Sequence, residues 1–303
     1  MAEHDQRFKT LLREFLPEFL RLFFPERAEA FDLDRIEWLD KELFAAPPHG
    51  ETFRLDLLAK LPWRSAEGES LALIHIEVES RDAVAIMPRR MFDYFRILRR
   101  DKPHPVLPIA VYLRVGRDGI GIESYVEEIA GLEVLRFQYL YVGLPALTAE
   151  EYVAGSNWLG VALAALMRVP RSRKVRLRAE ALRRILLECK ENDYRRLLLQ
   201  ECVEAYLQLS KRQQRAFEQL LRIEPYKEIE PMMVTTFEKG VAKGQREAAR
   251  LLLARRFGPL STAVLHRLEA WPAERLNDLL WAILDAPSLQ ALGLDADGEA
   301  PKP

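Results

Sequence analysis

Cysteine is scarce. Cys189 and Cys202 are the only two in 303 residues, and both fall in helix-like sequence among charged residues without metal-ligand spacing. That argues against a disulfide framework and a thiolate zinc site, and it fits a reducing cytosol. An excess of one charge is also missing: 45 Lys and Arg stand against 46 Asp and Glu, a net charge of -1. Bulk attraction to a polyanion is therefore not indicated, and only the distribution of charge can matter. No stretch approaches the roughly eighteen apolar residues that cross a bilayer. The opening "MAEHDQRFKTLLREFLPEFLRLFFPERAEAF" lacks the basic, apolar and small-residue regions of a secretory signal. A soluble, cytoplasmic protein without a membrane partner is the expectation. Zinc-finger spacing and a persuasive helix-turn-helix are lacking, so recognition of defined DNA ends is poorly supported. The echo "KGVAKGQ" does not have P-loop spacing.

What is present is ample apolar material, 49% of the chain, with 30% charged residues. Two domains, or one with a helical extension, fit this length. Phe8, Leu11, Leu12, Phe15, Phe19 and Leu22 recur at helical spacing, with Pro17 predicted to kink or divide the helix. Strand-like runs follow at 35–44, 52–61 and 71–80, separated by short polar connections such as "AAPPHG". A helix is predicted over 85–102 with Met91, Phe92, Phe95 and Leu98 on its buried face, then strands at 106–115 and 134–144. A meander followed by a crossover helix implies a mixed sheet with helices on it. From 148 the pattern turns helical, with Thr148 a candidate N-cap. The prolines of 222–233 interrupt it, and three or four short helices should follow. The expected division is 1–147 for the α/β core, 148–232 for a helical extension, 237–295 for a small helical domain and 296–303 for a disordered tail.

The run "LIHIEVES" carries the chemical signal. In a strand, His75, Glu77 and Glu79 share one face, and Ile74, Ile76 and Val78 the other. Neighbouring carboxylates on one pleat repel unless water screens them or a positive charge sits there. Asp56, between Leu55 and Leu57 on the preceding strand, is a second unfavourable acid. Mg²⁺ takes hard oxygen ligands and needs only one or two protein carboxylates. Asp56 and Glu77 could supply them, with the Val78 carbonyl as a third oxygen. The alternative is a solvated pair of acids salt-bridged to Arg54 or to an arginine of the following helix. Lys60 shares the Asp56 parity but lies roughly 13 Å along the strand, too far to join the site.

These residues and their order resemble the PD-(D/E)xK nuclease superfamily, and within it the Rpn-like recombination-promoting nucleases, also known as transposases. The resemblance spans "HDQRFKTLLREFLPEFLRLFFPE", "LDKELF", "LDLLAK", "IHIEVESRD", "MPRRMFDYFRILRR" and "PVLPIAVYL", roughly residues 4 to 145. The segment from about 237 resembles a helical domain of unknown function often appended to such proteins. The resemblance implies a PD-(D/E)xK-like mixed sheet followed by a helical half, and a Mg²⁺- or Mn²⁺-dependent DNA endonuclease (a hydrolase linked to recombination or mobile elements). It implies Asp56 and Glu77 as ligands. Glu79 stands where the motif has lysine and many members have glutamine, a departure that leaves it as ligand, base or mark of a weakened enzyme. Such a weakened protein would act as a DNA- or protein-binding module.

Arg89, Arg90 and Tyr94 on the helix after the motif could clamp DNA backbone. "RVPRSRKVRLRAEALRR" (168–184), which includes Arg173 and Lys174, holds eight basic residues and one acid, and is either a phosphate-binding patch or a solvated helix face. The helical C-terminal half is also a candidate surface for homo-oligomerisation.

Overall fold

The computed structural model describes residues 2–39, 42–44, 52–65, 68–80, 84–114 and 116–294. The chain forms two compact units, Met1–Ile185 with Leu199–Lys227, and Leu186–Leu198 with Glu228–Pro303. The first opens with α1 (Ala2–Glu14), α2 (Leu16–Phe23) and α3 (Pro25–Ala28). Pro17 sits in the first turn of α2, where a missing N–H costs no hydrogen bond, so the predicted division of the N-terminal helix falls beside it. Phe8, Leu11, Leu12, Phe15, Leu16 and Phe19 are buried along one stripe.

The strands are β1 (Glu37–Trp38), β2 (Glu42–Phe44), β3 (Thr52–Arg54), β4 (Leu57–Ser65), β5 (Gly68–Glu79), β6 (Val106–Tyr112), β7 (Gly119–Ile129) and β8 (Leu132–Gly143). A six-stranded sheet has the order β1-β4-β5-β6-β8-β7, and β2 pairs with β3 separately. β4 and β5 form an antiparallel hairpin, β5 runs parallel to β6 and β6 to β8, and β7 closes the edge antiparallel to β8. The sheet is thus mixed, as the meander-then-crossover pattern predicts. The strands expected over 35–44 and 52–61 are each split in two, the second at Leu55 and Asp56. β7 has no counterpart in the sequence prediction. Its side chains Ile120, Ile122 and Val126 stay exposed, so no strong apolar run marks it. Its turn is legible, with Ala130 (φ 52) and Gly131 (φ 81) supplying the two positive-φ residues of a tight hairpin. The turn "AAPPHG" lies outside the described residues, as does the tail 296–303.

Helix α4 (Met87–Asp101) connects β5 to β6 and covers one face of the sheet. Met87 and Met91 pack with Ala110, Tyr112, Phe137 and Tyr139, and Ile97 and Leu98 pack with Leu55, Leu58 and Leu73. Each such fully buried side chain contributes roughly 1.5–3 kcal/mol. The predicted inward residues Phe92 and Phe95 are half-buried against the ring of Phe137.

The helices α5 (Ala149–Ala154), α6 (Trp158–Leu163), α7 (Lys174–Arg183) and α9 (Lys211–Leu220) belong to the same unit as the sheet. Helix α8 (Asp193–Tyr206) falls partly in each unit, so the compact units do not divide at 147/148. Asn157 caps α6 through the amide of Gly160, and Ser210 and Gln213 form a capping box on α9. Thr148 occupies the N-cap position of α5 without a side-chain cap bond.

The second unit contains α10 (Ile229–Phe257), α11 (Thr262–Glu269) and α12 (Leu276–Asp285). Its core gathers Ala249, Leu253, Val264, Leu268, Trp271, Leu276, Leu279 and Ile283. In place of only short helices, α10 runs 29 residues. Pro231 lies in its first turn, where the absent donor would be unsatisfied anyway, so this proline does not break it. No helix among the described residues is long and apolar enough to cross a membrane.

Candidate functional site

The β5 pattern places His75, Glu77 and Glu79 on the face beneath α4, and both faces of the strand are buried from Ala72 to Glu79. The three polar groups are 0%, 3% and 5% exposed. These three groups therefore lie packed beneath α4, while Asp56 is half-buried beside them.

Asp56 reaches the same place because the chain bends there. Leu55 and Leu57 are buried on either side, and the β4–β5 ladder begins at the pair Leu57–Ile76. One residue earlier, the ladder gives way to a reciprocal lock. The Asp56 amide donates to Glu77 Oε1 at 3.0 Å, and Asp56 Oδ2 accepts the Val78 amide at 2.9 Å. Val78 therefore enters through its amide. Each carboxylate spends one oxygen on a backbone donor and turns the other toward a cationic side chain. Asp56 Oδ1 lies 2.6 Å from Lys9 Nζ, and Glu77 Oε2 lies 3.7 Å from Arg90. Arg90 also donates to Glu79 Oε2 at 3.2 Å. His75 Nε2 is 2.9 Å from Glu77 Oε1, and since an ionised carboxylate only accepts, that nitrogen is assigned the proton. His75 Nδ1 has no partner among the described residues. The Tyr94 and His75 rings are perpendicular, with centroids 5.4 Å apart.

Burial, and secondarily the negative charge of Glu77, push the Asp56 carboxyl above the usual range despite the opposing pull of Lys9 and the Val78 amide. Burial and Glu77 also push the Tyr94 phenol up to about 12, so it stays a neutral hydrogen-bond donor at physiological pH. Among the described residues, Asp56 pairs with Lys9, and Glu77 and Glu79 share Arg90.

The predicted residues Asp56, Glu77, Val78, Glu79, Arg90 and Tyr94 therefore meet in one cluster. Arg90 is the following-helix arginine anticipated as a salt-bridge partner; the side chain of Arg54 lies outside the described residues. Lys60 pairs with Glu37 instead. Arg89 is exposed on α4. Arg99 donates to the carbonyls of Pro103 and His104 at the helix end. In the basic stretch, Arg178, Arg183 and Arg184 are held by Leu207 O, by Glu180, and by the carbonyls of Val153 and Gly155. Arg173 is exposed and 3.4 Å from Glu150, and Lys174 opens α7. Arg173, Arg176 and Arg184 line a cleft of about 810 Å³ with Glu150 and Glu180, so both signs of charge are present there.

Lys9 is the member that sequence reasoning missed. It stands seven residues, about two helical turns, before the fully buried Leu16, at the border of the apolar stripe. A lysine so close to a buried face was the available signal.

Among the described residues, no group of three or more His, Cys, Asp or Glu side chains is arranged around a common metal position. The donor set still suits a hard cation that needs few protein ligands: two neighbouring carboxylate oxygens, Asp56 Oδ1 and Glu77 Oε2, carry no backbone hydrogen bond among the described residues. Comparison with family models, curated proteins and solved structures gave no match.

Proposed function

We propose that the chain is a Mg²⁺- or Mn²⁺-dependent DNA endonuclease of the Rpn-like, PD-(D/E)xK type, hydrolysing phosphodiester bonds with little sequence preference. One observation carries the assignment: half-buried Asp56 and buried Glu77 are locked together by backbone amides, with one oxygen of each turned to a cationic partner. Burying two neighbouring carboxylates costs stability, and a chemical role accounts for that cost better than packing does.

Asp56 and Glu77 would hold the cation. Bound there, it would polarise a phosphate oxygen and activate a water for attack. The rest is the work of the chain. Two backbone amides fix the orientation of both carboxylates, and His75 holds Glu77 from the side. Glu79 keeps Arg90 beside Glu77 as an auxiliary residue, and Arg90 can turn its remaining donors to a phosphate. Tyr94 offers a neutral hydroxyl. Arg89, with Arg173 and Lys174, would contact the DNA backbone.

Incubating purified protein with supercoiled plasmid in Mg²⁺, in EDTA, and as Asp56→Ala tests the assignment. Nicking that needs the metal and vanishes in the variant is expected. Absence of cleavage by folded protein in both Mg²⁺ and Mn²⁺ would remove it. A second reading, a nuclease-like binding module without activity, is favoured by one specific feature. Lys9 and Arg90 already pair with Asp56 and Glu79, so the cluster can persist without a metal.

A further inference from the structure

Glu79 has no positive charge to offer a phosphate, and its carboxylate is buried and held by Arg90. A cation reaches the acids from elsewhere, because Lys9 Nζ is 2.6 Å from Asp56 Oδ1 with the two side chains only 13% and 17% exposed. Asp56 Oδ2 is committed to the Val78 amide, so Oδ1 is the oxygen left for exchange. An ammonium and a divalent cation cannot share that oxygen at contact distance without strong repulsion in so poorly solvated a place. Lysine is a compact charge on a flexible four-carbon stem, suited to moving between two nearby anions.

We propose that Lys9 of α1 is a catalytic residue that holds Asp56 Oδ1 in the metal-free protein, yields that oxygen to the divalent cation, and then binds a phosphate oxygen of the nucleic acid. The inference rests on the nuclease assignment above. It gives the positive charge missing at Glu79 to a residue of the first helix. It also explains why a lysine lies at the edge of a buried apolar stripe, where desolvation of its charge is unfavourable unless an acid compensates. No covalent step belongs to Lys9; one ion pair is exchanged for another, and the ammonium keeps its proton throughout.

The test uses the full chain, with Mn²⁺ alone as the binding probe and supercoiled plasmid as substrate. Lys9→Gln keeps a hydrogen-bond donor for Asp56 but removes the charge. It should bind Mn²⁺ about tenfold tighter by calorimetry, since no ammonium has to be displaced. Its kcat should fall by about 100-fold or more, with a smaller change in KM, as expected for charge stabilisation in the transition state. Lys9→Arg should hold Mn²⁺ affinity near native and recover part of kcat. Unchanged or weaker Mn²⁺ binding by folded Lys9→Gln, or native cleavage by it, overturns the proposal. Should Lys9→Gln not fold, a folded Lys9→Arg as inactive as Asp56→Ala overturns it equally. Failure of the native chain to bind Mn²⁺ or to nick plasmid sinks the nuclease assignment first, whereas a native chain that does both beside an indifferent variant sinks only the role of Lys9.

Discussion

Asp56 and Glu77 are tied by the backbone of one and the side chain of the other: the Asp56 amide donates to Glu77 Oε1 at 3.0 Å. Glu77 is thus both a candidate ligand and the cap that ends the β4–β5 ladder. The two roles separate under substitution. Glu77→Ala strands the Asp56 amide and His75 Nε2, and should cost about 2–6 kcal/mol, at roughly 1–3 kcal/mol per buried unsatisfied group. Glu77→Gln keeps an acceptor oxygen and should cost about 1 kcal/mol or less while abolishing metal-dependent nicking. Urea unfolding in EDTA reads the first effect and plasmid cleavage the second. Equal destabilisation by the two variants would show that charge, not hydrogen bonding, holds the lock.

Glu79→Lys would restore the residue type of the resembled motif, but Arg90 makes it unfavourable. The new ammonium would be buried against a guanidinium that had lost its carboxylate at 3.2 Å. A loss of about 3 kcal/mol is expected, the scale for breaking a buried pair. Glu79→Gln retains an acceptor for Arg90 and should nick plasmid within about tenfold of the native rate, roughly 1.4 kcal/mol. Thermal unfolding and nicking rates measured together would decide. A Glu79→Lys protein as stable as the native one would contradict the role given to Arg90.

The raised pKa of Asp56 has a definite sign in stability. The folded protein holds this proton to a higher pH than the unfolded chain, so between the two pKa values stability falls as pH rises. In EDTA, the unfolding free energy of the native chain minus that of Asp56→Asn should therefore decrease as the pH rises above the ordinary aspartate range, about pH 4. A difference that rises with pH would mean that the Lys9 ion pair outweighs burial and the charge of Glu77.

Salt dependence tests the basic stretch. If Arg173 and Lys174 each neutralise a phosphate, replacing either by Ala should reduce the slope of log K against log salt by about 1, uniformly across DNA sequences. Arg178 is the control for the stretch: it is half-buried, its pKa is lowered by that burial, and its guanidinium lies over the Phe217 ring. Arg178→Ala should act on stability instead. An unchanged slope in both surface variants would leave the stretch as a helix face balanced by Glu150 and Glu180.

By itself the sequence determined the local pattern. Alternation along "LIHIEVES" was enough to group His75, Glu77 and Glu79 on one face, and helical spacing was enough to find α4 with Met91 and Leu98 turned inward. Both follow from backbone periods that every strand and helix shares. The pairing of Asp56 with Glu77 was also legible, because acids inside apolar runs are conspicuous. What covers a face is a long-range matter that no local period encodes. Only the tertiary structure decided that α4 seals the acidic face, that the chain bends at Asp56 so that amides replace ladder bonds, and that Arg90 claims Glu79. It alone brought Lys9 from the first helix to Asp56. The edge strand β7 went unread for a related reason: with one side unpaired, its apolar residues are left exposed and its pattern is too weak to announce a strand.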